Sequence, residues 1–110
     1  MVENTVDIMS IVKAGQVSLI YGAGVYGRKI YQLLTICKLG HKVACFVVSD
    51  GATRVDNTMG IPVITFENAE QQYPEAAILV AVKGAEELFE RVKRIHKGAV
   101  YFCQKEELCI

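Results

Sequence analysis

Several things are scarce in this chain, and each scarcity removes a class of function. No sign of charge prevails: twelve basic residues stand against twelve acidic ones. No stretch gathers Lys or Arg into a phosphate-neutralising face, so nucleic acid is not an expected partner. Long apolar runs are missing. Gly, Lys or Asp interrupts each one well before the roughly 18 residues that a spanning helix needs, so membrane insertion is not expected. The four cysteines, Cys37, Cys45, Cys103 and Cys109, never form C-x-x-C and have no His at metal-ligand spacing, which argues against a zinc site or a redox dithiol. They read as small apolar side chains, with Cys37 on the apolar face of a helix, Cys45 and Cys103 in strand-like runs, and Cys109 the most open to solvent. The opening Met-Val-Glu-Asn-Thr-Val-Asp carries acids where a signal peptide has a basic n-region, so a cytoplasmic location is expected. There is no internal repeat and no low-complexity segment.

What is present fits one domain. The 110 residues suffice for a modest core without disulfides or metals and leave no room for a second, catalytic domain. The hydrophobic fraction, 52%, is high for a soluble domain of this size. Some of that surface is expected to be covered, either by a second copy or by a catalytic domain attached in a longer protein of which residues 1–110 are a segment.

The apolar pattern changes period along the chain. Val6, Met9 and Val12 recur at helical spacing over residues 3–14, with Gly15 as the stop; this predicts a lead-in helix on the edge of a sheet. Residues 17–21 form an apolar run bounded by glycines, as a buried parallel strand would. From Val25, Ile30, Leu33, Leu34 and Cys37 share one helix face, Arg28, Lys29, Gln32 and Lys38 the other, and Gly40 closes the helix. A second strand follows at 43–48, then a polar loop to Met59, a short strand at 61–65 and a short helix at 66–73 stopped by Pro74. A further strand at 77–82 leads to a helix opened by Gly84, with Leu88, Phe89, Val92 and Ile95 inward, and a last strand at 99–102. Alternating strands and helices predict an α/β domain, a three-layer Rossmann-like fold with a mostly parallel sheet of about five strands in the order 3-2-1-4-5. Its ligand crevice is expected where the winding reverses, between the first and fourth strands.

The string Gly22-Ala23-Gly24-Val25-Tyr26-Gly27 matches G-x-G-x-x-G, and its position between a buried strand and an amphipathic helix gives the pattern a mechanism. Gly22 permits the turn, Gly24 lets the backbone approach a phosphate, Gly27 lets the helix pack on the strand, and the free helix N–H groups favour an anion. Arg28 places a cation in the first turn, against the helix dipole, which an anionic ligand would offset. Tyr26 either borders the ligand or packs beneath the loop. Asp50 lies 23 positions beyond Gly27, near the roughly 20 at which an acid accepts from a ribose hydroxyl. Arg54 reads as a solvated loop charge. Lys83 and Gly84 are expected opposite the glycine turn, with Lys83 within reach of a phosphate or carboxylate.

Four segments together, Tyr21 to Arg28, Phe46 to Asp50, Gly60 to Ile64 and Ile78 to Val82, resemble the Rossmann-like N-terminal domain of bacterial sugar O- and N-acyltransferases of the PglD type. They are also similar to domains attached to glycosyltransferases and FkbM-type methyltransferases of surface-polysaccharide pathways. The resemblance covers roughly residues 16 to 97 and implies sugar-nucleotide contacts by Gly22, Gly24 and Asp50. Two departures limit it. Nothing after residue 97 resembles the hexapeptide-repeat β-helix with the acetyl-CoA site and catalytic histidine, and Ser49-Asp50 stands where two adjacent acids are common.

No catalytic group is expected. His41 and His96 fall at the end of the sheet opposite the crevice, His96 as a cation for a helix C-terminus, and no Tyr-x-x-x-Lys or Ser-His-Asp arrangement is apparent. Three readings follow: a nucleotide module, with a UDP-sugar foremost; an NAD(P)-binding domain of an oxidoreductase or sensor; and a ligand-free interaction or dimerisation domain.

Overall fold

The structure, a computed structural model, describes residues 5–15, 17–49, 57–82 and 86–103, with side chains in the first helix from Ser10 onward. Four helices, α1 (Thr5–Ala14), α2 (Val25–Ile36), α3 (Phe66–Gln72) and α4 (Glu86–Ile95), accompany six strands: β1 (Ser18–Tyr21), β2 (Val43–Val48), β3 (Asn57–Thr58), β4 (Ile61–Thr65), β5 (Ala77–Val80) and β6 (Val100–Phe102). They form one sheet in the order β3-β4-β2-β1-β5-β6. Every pairing is parallel except β3 with β4.

The central strands are apolar throughout because both faces of the sheet are covered. On one face Val12 of α1 and Ile30 and Leu34 of α2 pack against Ile20, Phe46 and Leu79. On the other, Phe66 and Ala69 of α3 and Phe89 and Val92 of α4 pack against Leu19, Val47, Ile78 and Val80. Phe89 stacks on Phe102 at 5.4 Å, which ties α4 to the edge strand β6. A Thr65 N-cap, whose hydroxyl accepts from the Asn68 N–H at 3.3 Å, starts α3 directly after β4.

Five expectations are corrected here. The sheet has six strands, because Asn57 and Thr58, read as loop, pair antiparallel with Pro62 and Ile61; the five longer strands lie in the order β4-β2-β1-β5-β6. A two-residue strand carries no period for a sequence to display. Helix α1 lies on the sheet face beside α2, with Val12 fully buried, and not on the sheet edge. Lys42 Nζ holds it there by donating to the C-terminal carbonyls of Lys13 at 2.9 Å and Gly15 at 2.7 Å. Helix α2 ends at Ile36, before Gly40, through the left-handed Lys38 and a Leu39 N–H bond to the Leu34 carbonyl at 2.7 Å. Cys37 therefore sits exposed at the helix C-cap, away from the apolar face. Ile95, expected inward, is 53% exposed because α4 runs out at that residue. Cys45 and Cys103 are buried; Cys109 and Arg54 lie outside the described residues. Among those residues, no helix is long and apolar enough to cross a membrane.

Candidate functional site at the glycine turn

Strand β1 lies between β2 and β5, which is where the winding of the sheet reverses. The chain leaves β1 pinned to both neighbours. The Gly22 N–H donates to the Val47 carbonyl at 2.8 Å, and the Tyr21 carbonyl accepts from the Ala81 N–H at 2.9 Å. The turn therefore sits at the carboxyl ends of three adjacent strands.

Its three glycines play different parts. Gly22 has φ +119°, and a Cβ there would stand 2.7 Å from the Ala81 carbonyl oxygen and 2.8 Å from Val82 Cγ2. A Cβ on Gly27 would lie 1.8 Å from the Gly22 carbonyl oxygen, so helix and turn can pass each other only there. Gly24 differs from both: among the described residues nothing lies within 4 Å of where its Cβ would be, and the residue is exposed. It is the N-cap of α2, in extended conformation, and brings no side chain that could cap the helix. The first turn of α2 contains no acid.

The segment that leads into this helix and forms it carries charge of one sign. From Ile8 through Ser49 the sequence contains no Asp or Glu. Arg28 folds back so that its Nε lies 3.3 Å from the Gly24 carbonyl oxygen, and the neighbouring Lys29 is exposed. Positive helix end, guanidinium and ammonium thus share one open surface, an arrangement that favours an anion. Of the intervening residues, Val25 is exposed at the mouth of the turn, whereas Ala23 and Tyr26 are half-buried against the core of the α1–α2 face. Asp50, Lys83 and Gly84 lie outside the described residues.

Sequence reasoning missed the link between the ends of β1 and β2. The hydroxyls of Tyr21 and Ser49 are 2.9 Å apart and hydrogen-bonded. A strand-terminal Tyr followed far along the chain by a strand-terminal Ser has no local signature, so only the pairing of the strands brings them together. Ser49 also lines a cleft of about 680 Å³ whose other wall is the charged flank of α4 from Glu86 to Arg94. A cleft of about 720 Å³ lies at the opposite, amino-terminal end of the sheet, between α1 and Ala77, Ala99 and Tyr101. Neither cleft is lined by the glycine turn, where Gly24 and Val25 are exposed.

The remaining reactive groups are engaged elsewhere. His96 follows directly on the end of α4, and its buried ring bridges the Glu70 carboxylate through Nδ1 and the Ala76 carbonyl through Nε2. This clamp joins α3, α4 and the entry to β5, at the end of the sheet away from the turn. His41 is exposed in the 3-10 turn Gly40–Lys42. Burial pushes the Cys45 thiol up to about 11, which makes it a poor nucleophile. Comparison with protein families, curated proteins and solved structures finds no match to this chain.

Proposed function

We infer that this chain is a Rossmann-like module that binds a nucleotide-type anion on the shelf formed by Gly22 to Arg28, with a sugar nucleotide as the favoured class. The observation that supports this most is the difference among the three glycines. Packing accounts for Gly22 and Gly27, whereas the described residues make no demand on Gly24. An open N-cap glycine, which brings no capping side chain to a helix with Arg28 at its first turn, leaves main-chain donors for a phosphate. The sugar-nucleotide class comes from the resemblance to the acyltransferase domains, which also suggests a place in cytoplasmic surface-polysaccharide synthesis. The reacting groups would then belong to an attached or partner domain.

A second reading, NAD(P) binding, is favoured by the spacing of Asp50 from Gly27. A thermal-shift panel separates the two. UDP-sugars, other nucleotide sugars, NAD(P)(H), CoA and AMP are compared, and a true ligand at a hundredfold its Kd adds roughly 2.7 kcal/mol. Selective stabilisation by uridine nucleotides supports the first reading, and selective stabilisation by NAD(P)(H), weakened by Asp50→Ala, the second. No shift with any of them removes both and leaves an interaction domain.

A further inference from the structure

Away from the glycine turn, the flank of α2 beside the β3–β4 hairpin departs most from ordinary packing. A groove of about 540 Å³ runs between Tyr31, Gln32, Thr35 and Ile36 on α2 and Met59 at the hairpin tip. Ile36 is 77% exposed and Met59 44%. The helix wall is rigid: Tyr31 stands edge-on to buried Phe46 with ring centroids 5.9 Å apart, and the Thr35 hydroxyl donates to the Tyr31 carbonyl at 2.9 Å. On this same face of the sheet, Ile61 and Val63 are only partly buried.

Met59 is out of place by local rules. Met59 and Gly60 form the two-residue loop of the hairpin with φ of 55° and 78°. Two positive φ values are the mark of a type I′ turn, which favours Asn-Gly, and an unbranched apolar side chain in the left-handed region carries a steric penalty. Burial offsets that penalty only in part, since Met59 is 44% exposed. Such a residue is explained if its side chain meets something outside the chain.

Charge selects the occupant. Arg28, Lys29 and Lys38 are exposed on α2 and the turn after it, and that segment has no carboxylate. Arg28 and Lys29 lie a helical turn before the groove on the stripe that carries Gln32, Thr35 and Ile36, and Lys38 stands at the far end. A second copy docked by the same face, as in a two-fold dimer, would bring the same cations to the contact and be repelled, whereas a partner with carboxylates beside its apolar residues would be drawn in. A groove walled by the exposed flank of one helix suits another helix. We propose that the groove between α2 and the β3–β4 hairpin docks an amphipathic helix of a partner polypeptide, its apolar stripe on Ile36 and Met59 and its flanking carboxylates on Arg28, Lys29 and Lys38. The apolar part of this surface, Ile36 and Met59, lies apart from the glycine turn, whereas Arg28 and Lys29 are common to both surfaces.

The test titrates the full chain with a synthetic amphipathic helical peptide bearing Leu on one face and Glu beside it, and with the same peptide carrying Lys for Glu. Amide NMR shifts locate binding, and sedimentation reports self-association. The expected result is saturable binding of the Glu peptide alone, with shifts centred on Tyr31 to Ile36 and Met59. Met59→Asn should weaken it by roughly tenfold, the scale of a central contact, yet leave the free protein's Tm equal or higher because the turn relaxes. Ile36→Ser should weaken binding similarly without touching the turn. No saturable binding, equal binding of both peptides, shifts elsewhere, or unchanged affinity in the two variants would overturn the proposal. So would self-association abolished by Ile36→Ser, which would assign the groove to a second copy.

Discussion

At Gly27 one methyl group would stand 1.8 Å from the Gly22 carbonyl oxygen, main chain against main chain, with no flexible side chain to yield. Gly27→Ala is therefore expected to destabilise the fold by about 3 kcal/mol or more, the range of a forced backbone shift in a packed interior, measured by urea denaturation. Cys45 gives a second prediction at this scale. Its thiol rises from 9.0 to about 11 in the folded state through burial. The unfolded chain therefore loses this proton first as the solution becomes alkaline. The stability linked to Cys45 is complete below pH 9.0, falls as pH rises towards about 11, and is then gone. Up to roughly 2 to 3 kcal/mol is at stake. Cys45→Ala should lose that part of the alkaline decline, seen in Tm profiles above pH 8.5 or so. Both residues were partly legible in the sequence: the glycine string named Gly27 as a packing position, and the apolar run around Cys45 named it as core. The Tyr21–Ser49 hydrogen bond was not, since neither residue's neighbours hint at the other.

At the scale of elements, α2 is started and stopped by opposite means. Its N-cap glycine brings no capping side chain, whereas its C-terminus is closed by two main-chain hydrogen bonds, Lys38 N–H to Thr35 and Leu39 N–H to Leu34. The closure holds Lys38 at φ +63°, the left-handed conformation glycine adopts without penalty. Lys38→Gly should stabilise the protein by about 0.5 to 1 kcal/mol, read as a higher urea midpoint with unchanged slope. The sequence pointed to Gly40 as the helix stop because glycine is the usual signal. In the fold, Gly40 has another duty: a Cβ there would lie 2.7 Å from Thr35 Oγ1. The strands of the central sheet were readable because both-sided burial makes them apolar end to end. Strand β3 was not readable, because two residues have no period and Met-Gly is a poor turn signal. The docking of α1 on the sheet face was also hidden, since periodicity marks an apolar stripe but not the surface it meets.

Across the whole molecule, the two helical layers differ in charge. The layer with α1 and α2 carries Lys13, Arg28, Lys29, Lys38 and Lys42 against Asp7 of α1, while the α3–α4 side sets Glu67, Glu70, Glu75, Glu86, Glu87 and Glu90 against Arg91, Lys93, Arg94 and Lys97. A net charge of zero therefore conceals a cationic side, and the glycine turn opens on it. Such a field favours anions at the shelf and is screened by salt. The α/β class and the order of the five longer strands followed from the alternation of elements. The shape of the shelf did not follow, because a G-x-G-x-x-G string does not say which glycine is free of its surroundings. That freedom makes Gly24→Ser the most direct test of the account. A serine hydroxyl at the N-cap would occupy a helix N–H that an anion would otherwise use. Thermal unfolding of the wild-type chain and of Gly24→Ser, each with and without the nucleotide panel, should show a ligand-free Tm that is equal or higher in the variant and a ligand-induced rise confined to the wild type. No rise in the wild-type chain, or the same rise in both, would contradict anion binding at this turn.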